Sequence, residues 1–350
     1  MRNLKCDASL QCVKRQRWIR AMILLLIQVQ VYAEVPAERV TIAEITPAAE
    51  RAIEKGLLFL KQSQRVDGSW GDSYHVANTA VALLGLMVPG NVPGEGLYAE
   101  NLDKGIVYLI NAAKKHDGYF ADSTSKTFYQ HSLATMALAE AWGQSKRHEV
   151  GPVLKRAVDI LMRAQCRDGG WRYTPRPTTT SDLSCTAMAV QALASAKEAG
   201  ILVPDYVVHR AIRCVRGYQN EKTGYFGYTI GSSGSPTLYR TGSGPLCLFM
   251  LGDRRSSYLQ RGIAVLMKYP DERFEHGESH FFLAHYYAIQ SSYQAGNKMF
   301  NYWYPRISRV LLKRQRPDGS WPSGTSPSFS TSLSILILAV PYRYLPIYQR

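Results

Sequence analysis

The sequence predicts an all-α fold, an (α/α)6 toroid (barrel) of six helical hairpins, and three observations predict it. A basic residue opens an apolar helix six times, at Lys55, Lys104, Arg156, Arg210, Arg261 and Arg309, in steps of 48 to 54 residues, enough for two helices and their loops. A glycine-aromatic turn follows in five units, at Gly68-Ser-Trp70, Gly118-Tyr-Phe120, Gly169-Gly-Trp171, Gly224-Tyr-Phe226 and Gly319-Ser-Trp321. The first helix of each pair alternates charged and apolar residues while the second is apolar nearly all round, so the first faces solvent and the second is buried. A single hairpin cannot bury its apolar face; stacked neighbours do, and ring closure removes the need for capping repeats.

The first residues precede the repeats. Arg2, Lys5, Lys14, Arg15, Arg17 and Arg20 lead into the apolar run from Ala21 to Ile27 and then Val31-Tyr-Ala33. A basic region, a short apolar core and small residues before a cleavage point are the marks of a secretory signal peptide. Residues 1–33 are therefore expected to be removed after Ala33. Residues 34–350 form a single toroid domain in an exported protein, periplasmic or secreted. The apolar run is far short of the roughly 20 residues that a spanning helix needs, so no stable membrane span is expected after cleavage.

The formal charge is +15. Removing the leader, with six Lys and Arg and one Asp, leaves +10 spread along the chain. Without a clustered basic stripe this excludes no anionic ligand, but it does not predict a nucleic-acid partner.

The inner helices open, in order, near Asn78, His131, Asp182, Gly244, His280 and Ser330. Gly143, Gly200, Gly252 and Gly296 stand where such helices would end in left-handed caps. The Pro-Gly-rich segment from Val88 to Gly96 reads as a connection between units one and two. Unit five departs most: Pro270-Asp-Glu-Arg-Phe-Glu-His-Gly277 has neither the glutamine nor the glycine-aromatic turn. Past the leader four cysteines remain, Cys166, Cys185, Cys214 and Cys247, none in C-x-x-C spacing. They are read as buried free thiols in apolar helices, with disulfides as the alternative in an exported protein.

Leu60-Lys-Gln-Ser-Gln-Arg-Val-Asp-Gly-Ser-Trp70, Leu161-Met-Arg-Ala-Gln-Cys-Arg-Asp-Gly-Gly-Trp171 and Leu312-Lys-Arg-Gln-Arg-Pro-Asp-Gly-Ser-Trp321 resemble the QW repeats of the prenyltransferase and squalene-hopene cyclase superfamily. The resemblance covers essentially the whole chain past the leader. It implies a toroid around an apolar cavity, with the Gln and Trp as structural ties between helix ends and turns. It also implies two catalytic signatures, and this chain departs from both. Where the cyclases carry Asp-x-Asp-Asp-Thr-Ala, this chain has His75-Val-Ala-Asn-Thr-Ala80 and Asp182-Leu-Ser-Cys-Thr-Ala187. The proton-donor position is thus Ala77 or Ser184, and neither is a carboxylic acid. Where protein prenyltransferases carry a zinc-binding Asp-x-Cys, Asp182-Leu-Ser184 stands instead. Its Cys185 is displaced by one residue, about 100° around a helix. No metal and no cofactor are therefore expected.

The N-terminal turns of the inner helices converge on one mouth of a toroid, so their polar residues are the functional candidates. Asp182, His131, His280 and Arg240 are the candidate catalytic residues; His75, Asn78, Tyr129, Tyr239 and Glu278 are candidate ligand-lining residues. Three readings stand side by side. His131, Asp182 and His280 suit a divalent metal by donor type. Tyr239, Arg240, His131 and His280 suit proton abstraction from an acidic sugar. Asp182, Ser330 and Asn78 suit helix caps and satisfied buried polar groups. His285, five residues after His280, does not share its helix face and reads as a core residue. The expected function is binding of an apolar or polyprenyl-like ligand in the central cavity, with a glycan as the other candidate partner; the alternatives are an enzyme of unknown reaction, lyase- or isomerase-like, using the inner-ring Asp, His and Arg residues, and a non-catalytic scaffold with a filled core.

Overall fold

The computed structural model describes residues 42–122, 127–232, 237–275, 280–322, 326–343 and 345. The predicted signal peptide and Glu278 lie outside the described residues. Twelve α-helices are found among them, with no strand: α1 (Pro47–Ser63), α2 (His75–Met87), α3 (Ala99–Lys115), α4 (Thr127–Trp142), α5 (Val150–Arg163), α6 (Leu183–Glu198), α7 (Asp205–Gly217), α8 (Leu238–Met250), α9 (Ser257–Leu266), α10 (Phe281–Gln294), α11 (Asn297–Arg314) and α12 (Pro327–Leu338). The odd-numbered helices bury one stripe and the even-numbered ones bury most of their residues, as their patterns dictate. Helix α2 packs on α4, α4 on α6, α6 on α8, α8 on α10, α10 on α12, and α12 back on α2. This is the closed toroid that the period predicts. None of these helices is long and apolar enough to cross a membrane.

The repeat residues do the same work in each unit. The Trp70 indole donates to the Leu60 carbonyl at 2.7 Å, Trp171 to Leu161 at 2.8 Å and Trp321 to Leu311 at 2.8 Å, so each turn is fastened to the end of its outer helix. The glutamine amide then bridges hairpins. Gln64 donates to Gly68 and to Asn101 of α3, and Gln165 donates to Gly169 and to Val207 of α7. Unit four repeats the bridge with Gln219, which donates to Gly224 and Tyr258. In unit two Lys114 takes the glutamine's place and reaches the next hairpin through an ion pair with Glu149 at 2.9 Å.

The turn glycines explain the basic openers. A Cβ on Gly169 would lie 2.3 Å from the Arg210 carbonyl oxygen, and one on Gly319 would lie 2.3 Å from that of Lys55. Each opener thus marks where the preceding turn rests its backbone, and both glycines have positive φ.

Three details differ from expectation. Gly200, Gly252 and Gly296 have positive φ at helix ends, but Gly143 does not. Asn78 and Ser330 are not caps: they lie inside α2 and α12, which begin earlier. Unit five does have an aromatic turn residue. It is Phe274, carried on the 3-10 turn Asp271–Phe274 and 2% exposed. All four cysteines are buried free thiols.

Candidate functional site at the mouth of the toroid

One position near the start of each inner helix faces the turn before it, and in four units it accepts that turn's backbone N–H. The backbone N–H of Trp70 donates to the Thr79 hydroxyl, that of Trp171 to Thr186 and that of Trp321 to Thr331, at 3.0–3.2 Å. In unit two the anchor is His131, whose Nδ1 accepts from the Phe120 N–H at 3.2 Å. Its Nε2 then donates to the Ala157 carbonyl at 3.1 Å. In unit five the equivalent position is His285, whose ring nitrogens have no hydrogen-bond partner among the described residues and whose ring lies 5.6 Å from Phe274, the same separation as His131 from Phe120. In unit four it is Thr241, four residues after the capping Thr237 as Thr186 is four after the capping Asp182.

Counting two residues back from each anchor gives Ala77, Tyr129, Ser184, Tyr239, Leu283 and Phe329. Five of these are half-buried in helices that are mostly buried, and Ser184 is 7% exposed. They form the floor of the mouth. Two of them, Leu283 and Phe329, also line the apolar centre of the ring with Leu133, Met136 and Met188. The cavity that these side chains enclose is about 10 Å3, room for one water at most.

The floor has two sides. Units five, six and one contribute Leu283, Phe329 and Ala77. Units two, three and four contribute Tyr129, Ser184 and Tyr239, and a polar network extends from them. The Tyr129 hydroxyl is hydrogen-bonded to Ser184 Oγ at 2.5 Å, and Ser184 donates to Asp182 Oδ1. The same oxygen accepts the Cys185 N–H at 3.0 Å, capping α6. Asp182 is fully buried. Its Oδ2 has no hydrogen-bond partner among the described residues, and it faces the Arg172 guanidinium at 4.0 Å. With two donors on one oxygen and a cation beside the other, Asp182 is built as an acceptor. Tyr173 packs its ring 5.8 Å from Tyr129 and shares a hydrogen bond with the Tyr228 hydroxyl. Burial pushes the phenols of Tyr129 and Tyr239 well above their usual range, so both stay protonated donors.

The remaining sequence-predicted residues separate. His131 is buried in the scaffold, both ring nitrogens engaged, and burial holds its pKa down at about 3. His280 is exposed at the rim, capping α10 in the left-handed region, with its ring 6.4 Å from Tyr239. Arg240 follows Tyr239 on α8, half-buried, and desolvation lowers its pKa. His75 is half-buried at the start of α2, and Asn78 donates back to the Ser73 and Tyr74 carbonyls. No three His, Cys, Asp or Glu side chains among the described residues meet as a metal site, so His131, Asp182 and His280 do not form the triad that their types suggest. Arg172, Tyr173 and Tyr228 are site residues that the sequence reading missed. They lie in loops after the glycine-aromatic turns, outside the helix starts where the pattern directs attention.

No known family model matches this chain. A lanosterol synthase from Pneumocystis carinii is 20% identical over 133 residues, 36% of this chain and 18% of the relative; the chain thus spans under a fifth of that protein's length. Among solved structures, the α-1,6-mannanase GH76A of Salegentibacter sp. HEL1_6, held as an inactive variant with α-1,6-mannotriose, aligns with a TM-score of 0.62 and 11% identity. That alignment covers 83% of this chain and 98% of that one. The type II terpene cyclase MstE from Scytonema, in complex with geranylgeranyl dihydroxybenzoate, aligns with a TM-score of 0.57 and 14% identity over 85% of this chain and 98% of that one. The fold is an α/α toroid like that of a terpene cyclase, shared also with mannanases.

Proposed function

We propose that this toroid binds an amphipathic, polyprenyl-like small molecule at its mouth. The polar end rests on Tyr129, Ser184 and Arg172, which the buried Asp182 holds in place from behind, and the apolar part lies across Ala77, Leu283 and Phe329. The two-sided floor carries this reading. MstE is held with a ligand of the same two-part kind, a polar aromatic acid joined to an isoprenoid chain, which supports it by analogy of fold. The floor includes Ala77 and Ser184, the positions where the resemblance places a proton donor, and neither supplies an acid. The site therefore offers hydrogen bonds from Tyr129 and Ser184, ordered by Asp182, and no acid for protonating an alkene.

A second reading follows from the small volume between these apolar side chains. A cavity of about 10 Å3 does not admit an isoprenoid chain without side-chain rearrangement. A glycan confined to the polar side would need none, and the mannanase neighbour is held with mannotriose. Fluorescence titration with geranylgeranyl dihydroxybenzoate and with α-1,6-mannotriose separates the two. Saturable binding of the prenyl compound, weakened about tenfold in Phe329→Ala, supports the first reading. Mannotriose binding insensitive to that change sinks it in favour of the second.

We further propose that the chain is exported and cleaved after Ala33. The intact mass of protein recovered from outside the cytoplasm is expected to begin at Glu34; a retained leader refutes cleavage there.

A further inference from the structure

Thr79, Thr186 and Thr331 each accept a backbone N–H from their turn. Thr241 holds the same place in unit four and is 4% exposed, yet its hydroxyl has no hydrogen-bond partner among the described residues. A buried hydroxyl left in that state costs stability, and Thr241 is also one of the residues that line a cavity of about 190 Å3. The cavity arises from the irregular fifth unit. Helix α9 has ten residues, against 13 to 18 in the other outer helices. The chain then turns through Tyr269 and Pro270 instead of making a glycine-aromatic turn. Tyr225, Lys268 and Arg273 line it too, beside Thr237 and the apolar Leu238, Val265 and Leu266.

We propose that this cavity binds a small oxyanion, a carboxylate or phosphate group on a compact hydroxylated molecule. Lys268 and Arg273 supply two positive charges, and neither side chain has an ion pair among the described residues. Asp271, an acid in the same turn, is taken by Arg306 at 2.7 Å, and Glu272 is exposed and not part of the lining. Thr241 holds an unpaired hydroxyl just behind the lining, within reach of a side-chain rotation, and Tyr225 gives an aromatic wall. At roughly 30 Å3 per water the volume holds about six waters, the size of a hydroxy acid or phosphate monoester of a few carbons. It is below the roughly 300 Å3 at which drug-sized ligand sites begin, which excludes a polyprenyl chain. None of the six floor residues lines it, so the site stands independently of the mouth.

Calorimetric titration of the purified full chain at constant ionic strength tests this, using inorganic phosphate, D-glycerate and neutral glycerol. Phosphate or glycerate is expected to bind saturably in the millimolar range or tighter, and glycerol not at all; which of the two wins identifies the head group. Lys268→Ala with Arg273→Ala, both exposed positions, should weaken binding at least tenfold with unchanged circular dichroism. Thr241→Val should weaken it several-fold while leaving melting temperature level or raised. No saturable heat up to 50 mM from either anion, or equal affinity in the double variant, overturns the proposal.

Discussion

The Gln315 side-chain amide donates to the Ala52 carbonyl at 2.8 Å, across 263 positions of sequence. The same nitrogen holds Gly319 at 3.0 Å, so the last unit grips the first with the contacts that Gln64 uses between units one and two. Gln315→Ala leaves two carbonyls short of a donor and is expected to cost about 1–3 kcal/mol. Gln64→Ala should cost a similar amount. Urea unfolding midpoints check this; a loss confined to Gln64→Ala would mean that the seam is not part of the cooperative unit.

Gly169 has φ of 98°, and a Cβ there meets the Arg210 carbonyl oxygen at 2.3 Å. Gly169→Ala combines backbone strain with a clash against an immobile atom. It is expected to destabilise by more than the roughly 1 kcal/mol of an ordinary glycine change. Gly143→Ala, with open space around its Cβ position, should be near neutral. Thermal melts of the two variants decide the ranking.

Burial lowers the pKa of both His131 and His285 to about 3, against a usual value near 6.5 in an unfolded chain. The unfolded state therefore takes up protons below pH 6.5 while the folded state resists until about 3. Their contribution is intact above 6.5 and is lost on acidification, by up to roughly 1.4 kcal/mol per pH unit for each histidine. His131→Thr restores the anchor hydroxyl of Thr79 and Thr186. It should remove one proton from the slope of stability against pH between 6 and 4, as read by denaturant titrations.

Asp182→Asn preserves an oxygen acceptor for the Cys185 N–H and for Ser184 but removes the charge beside Arg172. Ligand affinity at the mouth is expected to fall by about 1–3 kcal/mol, the worth of a charge-assisted hydrogen bond. Stability should change by less than that, because the cap survives. Ser184→Ala breaks the link to Tyr129 and should lower affinity with an intact cap. Unchanged binding in both variants would remove the polar side of the floor from the site.

The hairpins were legible because each glutamine, glycine and tryptophan answers to a backbone constraint repeated in register. The site was less so. His280 and His131 look equivalent as the first histidines of their helices, yet His285 matches His131, because a 3-10 turn carrying Phe274 replaces the glycine-aromatic turn and shifts the count by five. Tyr129, Ser184 and Tyr239 become one surface only after six distant helices are set to a common anchor. Arg172 reaches Asp182 from a loop that no periodicity marks.

Six near-equivalent hairpins around an axis would offer a ligand six interchangeable orientations, each reached by a sixth of a turn. The division of the floor removes that degeneracy. On the proposed reading, a molecule with unlike ends has one azimuth that satisfies both, so a repeat architecture built from copies can still present a directed site.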